Sequence, residues 1–79
     1  MKKIHEHERI VLTRDLLEHS LCAGDIGTVV LVHRNGEGFE VEFMTLDGET
    51  IAVTTLMATD VRPIAKKEMA HARSLESIF

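Results

Sequence analysis

Residues 24–54, GDIGTVVLVHRNGEGFEVEFMTLDGETIAVT, decide the fold. They form three runs of mostly alternating apolar and polar residues, split by two turns that hold glycine. Asn35-Gly36 is a strong hairpin signal, because both central residues of a type I′ turn need positive φ. Asp47-Gly48 marks a second tight connection, of the kind made by a type I turn closed with a glycine bulge. Two hairpins in succession predict a meander of three antiparallel strands.

Within this stretch, Gly38–Thr45 has the clearest one-sided pattern: Phe39, Val41 and Phe43 point inward, and Glu40 and Glu42 point outward. Ile26–Arg34 is apolar on both faces, which suits a central strand covered on both sides. Its inward set is Ile26, Thr28, Val30 and Val32, or in the other register Val29 and Leu31. Glu49–Leu56 predicts a fourth strand with Ile51, Val53 and Thr55 inward. Gly24 reads as a turn glycine, and Gly27 as a bulge or a close approach of backbone.

Working outward, ERIVLTR at 8–14 predicts the first strand. DLLEHSLCAGD at 15–25 has no clean period and reads as a long loop that tucks Leu16, Leu17 or Leu21 onto the core. MATD at 57–60 suggests one helical turn. Val61–Pro63 is a short last strand, with Pro63 suited to an edge. From Ala65 the period becomes helical: Ala65, Met69, Ala72, Leu75 and Phe79 share one stripe. The expectation is therefore a mainly β chain: an N-terminal extension at 1–7, a five-stranded SH3-like barrel at 8–64 and a C-terminal amphipathic α-helix at 65–79. A barrel is favoured because closure removes exposed edges.

Size and composition restrict what such a chain does. Its 79 residues make one domain with a small core. Trp and Tyr are absent and Phe numbers three, so aliphatic residues and Met carry the packing. No apolar run approaches the roughly 20 residues of a membrane span. MKKIHEHER lacks the apolar stretch of a secretory signal. The single Cys22 makes no internal disulfide and fits a reducing cytoplasm. The net charge of −4 is uneven: residues 8–64 hold ten acidic and four basic residues, a balance of −6, and each end contributes +1. Such a surface repels phosphate and attracts basic partners.

Catalytic and metal chemistry finds little support. His5 and His7 share a face of an extended chain, and His19 and Cys22 would be neighbours on a helical turn. Neither pair has the spacing of a structural zinc site, so no metal and no cofactor are expected. Cys22 with His19 as base and Asp15 or Asp25 as orienter lacks the preorganised cleft a nucleophile needs. A half-buried structural thiol is the simpler reading, and the chain is not expected to be an enzyme.

GDIGTV at 24–29 resembles KOW-type segments of ribosomal and transcription proteins, which implies RNA contact as an alternative role. The barrel has few basic or aromatic residues to make it. VLTRDL (11–16), LCAGDIGTVV (21–30), FEVEFMTLDGETIAV (39–53) and DVRPI (60–64) resemble a bacterial family of very small proteins known only as a domain of unknown function. That resemblance covers most of residues 8–73. It implies an SH3-like fold without known catalytic residues and, from toxin-like neighbours of some members, an antitoxin or immunity-type role.

The leading expectation is a non-enzymatic protein-binding module for a basic partner. Its contact surface would be Glu40, Glu42, Asp47 and Glu49 together with the stripe Met69, Ala72, Leu75 and Phe79. A homodimer joined through the C-terminal helix is a further alternative.

Overall fold

In the computed structural model, which describes residues 3–75, the chain forms one antiparallel sheet. The strands are β1 (Arg9–Leu12), β2 (Ile26–His33), β3 (Gly38–Met44), β4 (Thr50–Met57) and β5 (Val61–Pro63). Their spatial order is β4-β3-β2-β1-β5. Two 3-10 turns, Leu17–His19 and Ala58–Asp60, lie in the first loop and before β5.

Two expectations are corrected. The SH3-like barrel is not formed: β4 and β5 end the strand order on opposite sides, and the sheet stays open. Among the described residues the C-terminal α-helix is also absent. Lys67 has φ 65°, which interrupts a helix at its first turn, and Met69, from the middle of the apolar stripe, is 90% exposed. An isolated helix of that length is marginal in water. Ion pairs hold the segment instead. The Arg62 guanidinium donates to both carboxylate oxygens of Glu68, at 2.9 and 2.6 Å, and Arg73 pairs with Asp25.

The core lies on one face of the sheet. Ile10, Leu12, Val29, Phe39, Val41, Phe43, Leu56 and Val61 cluster there, joined by Leu16 and Leu21 from the first loop. Leu17 stays exposed. The clean alternation of β3 holds as read. Neither proposed register of β2 holds along the whole strand. Val29 pairs with Val41 but Leu31 pairs with Glu40, so Val30 is an extra residue at a bulge. Val29 faces the core before the bulge and Val32 packs against it after. β2 is central, yet Ile26 and Leu31 are exposed, so its outer face is not covered throughout.

β4 has the opposite phase to the one expected. Ala52 pairs with Phe43 and Leu56 with Phe39, which puts Ala52, Thr54 and Leu56 on the core side. Val53 faces out and is 56% exposed. The register shift between Phe43 and Met44 leaves Ile51 as the unpaired residue that sets this phase.

The first hairpin turns one residue earlier than read. Gly36 N donates to His33 O, and the central residues Arg34 and Asn35 both have positive φ, at 47° and 58°. The second turn follows the reading, with Gly48 N donating to Thr45 O and Gly48 at φ 96°. Gly27 is a close approach: a Cβ there would sit 2.6 Å from Val41 Cγ1 and 2.8 Å from Phe43 Cε1.

Candidate functional site

The outer face of the sheet divides into a covered part and a bare part. Cross-strand partners in an antiparallel sheet share a face. Arg9 opposes Thr28, Thr28 opposes Glu42, and Glu42 opposes Val53, so these residues form one outward row. Val11, Ile26 and Arg62 form the next row toward the β5 edge. The tail after β5 covers that end. Ile64, Glu68, Met69 and Ala70 line a shallow hollow of about 240 Å³ with Val11, Ile26 and Arg62. Val11 is only 7% exposed although it stands outside the core cluster.

The other end, over β2–β4, carries the carboxylates. Glu40 accepts the Thr55 hydroxyl at 2.6 Å and lies 2.8 Å from His33 Nε2. These contacts, the Thr55 hydrogen bond first, hold its carboxyl below the usual glutamate range. Glu42 accepts the Thr50 hydroxyl at 2.7 Å. Leu31 opposes Glu40 and Val53 opposes Glu42, and both apolar side chains are about half exposed. Asp47 and Glu49 are exposed at the β3–β4 turn, where Thr45 binds Asp47 and receives the Glu49 N–H.

The structure therefore joins Glu40 and Glu42 on one face and sets Asp47 and Glu49 at the end of the same hairpin. It does not join them to the apolar stripe. Met69 and Ala72 are exposed on the tail, which crosses the β1–β5 end, and Leu75 is half-buried. Phe79 lies outside the described residues. The sequence reading set Leu31, Val53 and Thr55 among inward residues and not on this surface. The signal available for Val53 was its place beside Glu42, hidden by the wrong phase for β4.

The remaining polar groups are largely committed. Asp60, 9% exposed, accepts Arg14 Nε at 2.8 Å and Met57 N at 2.9 Å. The Arg14 hydrogen bond is the main reason its pKa is lowered. Asp25, the sequence candidate for orienting Cys22, accepts the Cys22 backbone N–H and pairs with Arg73. The glycine-marked loop thus presents Asp15 and Asp25, with its nearby arginine already engaged. His5, His7 and His19 join no cluster: among the described residues no group of three or more His, Cys, Asp or Glu converges as a metal site. No helix among them is long and apolar enough to cross a membrane.

Residues 6–63 match the family described as a domain of unknown function, DUF4926. The chain belongs to DUF4926. No curated protein and no solved structure matches it. The DUF4926 span runs from just before β1 to the end of β5, so Glu40, Glu42, Asp47 and Glu49 lie within it. Met69, Ala72, Leu75 and Phe79 fall beyond it.

Proposed function

We propose that the chain is a non-enzymatic protein-binding module that docks a basic partner on the bare outer face of β3 and β4. One observation carries the reading. Between Asn35 and Asp60 the chain has six acidic residues and no Lys or Arg. Glu40 and Glu42 from this stretch stand outward beside exposed Leu31 and Val53. Apolar side chains rimmed by charge of one sign, with Glu40 shared with His33 and Glu42 beside it, suit a protein-binding surface for a partner of the opposite sign. A regulatory or immunity-type role toward a basic protein fits this chemistry.

The test compares tagged wild-type chain and Glu40→Lys/Glu42→Lys in a lysate of the native host. A basic protein is retained stoichiometrically by the wild type, released by salt and lost from the variant. Recovery of wild-type chain with no bound protein, or equal retention by the variant, overturns the reading.

A further inference from the structure

β4 is an end strand of the open sheet, and the direction of its backbone groups follows from its pairing. Ala58 N donates to Glu37 O, and Ala58 follows Met57, which pairs with Gly38. In an antiparallel pair, residues that bond to the partner strand alternate with residues whose N–H and C=O both point away. Counting back from Ala58, Leu56, Thr54 and Ala52 bond to β3, while Met57, Thr55 and Val53 point away from it. Met57 agrees, since its N–H is taken by Asp60 Oδ2 on that side. Val53 and Thr55 are left with N–H and C=O aimed outward, and among the described residues no strand pairs there.

This edge lacks the usual protections. Thr50–Met57 reads TIAVTTLM, with no charged residue and no proline. The Ile51 irregularity sits near its start and leaves Ala52–Met57 in continuous register with β3. The opposite edge differs: β5 is three residues long, ends in Pro63 and is flanked by the tail.

Charge selects the occupant. Of the six carboxylates between Asn35 and Asp60, Asp60 is neutralised by Arg14, and Glu40 is engaged by the His33 ring and the Thr55 hydroxyl. Glu37, Glu42, Asp47 and Glu49 remain around the edge. A second copy would bring the same four negative groups against them. A strand carrying Lys or Arg does the opposite. Strands lie about 4.8 Å apart, so an added strand stands roughly 10 Å from β3. A lysine and a glutamate side chain together span that gap.

We infer that β4 takes up an extended, lysine- or arginine-bearing segment of the partner as a sixth strand, added antiparallel at Val53 and Thr55. This inference rests on the protein-binding reading and specifies its geometry. Residues opposite Val53 and Thr55 share their outward face and turn their own N–H groups toward β4. The basic side chains therefore sit on the residues whose N–H groups bond.

The test titrates fluorescent decapeptides of alternating Lys and Val into the wild-type chain at low salt. The unmodified peptide binds. Methylation of two lysine backbone nitrogens weakens binding about tenfold or more, since two hydrogen bonds are lost. Methylation of two valine nitrogens leaves affinity unchanged, and an alternating Glu–Val peptide does not bind. Equal affinity of the two methylated peptides, absence of binding by the unmodified one, or binding of the Glu–Val peptide overturns strand addition. The docking reading fails separately, if Glu40→Lys/Glu42→Lys retains the host partner as the wild type does.

Discussion

Gly27→Ala tests the packing that aligns β1, β2 and β3. The glycine is buried on the core side of β2 opposite Ile10. A methyl group there would stand 2.6 Å from Val41 Cγ1, 2.8 Å from Phe43 Cε1 and 3.0 Å from Phe43 Cδ1. Ordinary carbon–carbon contact is about 3.5–4.0 Å, so the overlap is roughly 1 Å with Val41 and slightly less with the ring. Val41 is fully buried and Phe43 nearly so, so either can yield only by shifting its packed neighbours. Overpacking of this kind costs about 1–3 kcal/mol. Alanine restricts the unfolded chain and offsets about 0.4–1 kcal/mol of that. The net loss is about 0–2.6 kcal/mol, and at about 4–8 °C per kcal/mol for a domain of this size the melting temperature falls by up to roughly 20 °C. Urea unfolding followed by far-ultraviolet circular dichroism measures it. A cycle with Val41→Ala, which removes the nearest methyl, should show the alanine at 27 costing less in that background. Greater stability of Gly27→Ala, or an equal cost of the alanine in the Val41→Ala background, would refute the close approach.

Other consequences are as direct. Asp60→Ala removes the Arg14 and Met57 hydrogen bonds and should destabilise by about 1–3 kcal/mol in the same unfolding assay. A loss near zero would mean that this carboxylate does not fasten β4 to β5. Thr54→Pro deletes a β3–β4 ladder bond and should cost about 1–3 kcal/mol, whereas Val53→Pro removes only an outward N–H and should be much milder. The reverse ranking would show that the edge assignment is inverted. Glu68 is held at about 2 by Arg62 and by the Ala65 N–H. Its folded pKa is depressed, so the tail attachment is fully present above the ordinary glutamate value near 4.5 and is lost as pH falls through about 2. Backbone relaxation of residues 65–70 at pH 6 and pH 2 should show an ordered and then a partly released tail. Release already complete at pH 4 would contradict the bidentate pair.

The meander was legible because β3 buries one face only and its glycine turns demand special φ. The β2 inward set was not, since a bulge at Val30 changes phase within an unbroken apolar run, and either register describes half the strand. β4 failed for a related reason. In TIAVTTLM threonine and alanine take inward positions as readily as valine takes an outward one, so hydropathy does not fix the phase. The tail shows a different limit. Its apolar spacing is helical, but Arg62 and Asp25 hold Glu68 and Arg73 from other parts of the chain, and sequence spacing carries no trace of those pairs. Glu40, Glu42, Asp47 and Glu49 were found as charges. Their relation to an unpaired edge needed the strand order.

Amide hydrogen exchange along β4, resolved by residue, is the most direct measurement. In the free chain Thr54 and Leu56 should exchange slowly and Val53 and Thr55 quickly, and the Lys–Val decapeptide should slow Val53 and Thr55 selectively. Uniform protection of all four in the free chain would mean that another strand already covers this edge, and the account of an open, acid-flanked docking strand would be wrong.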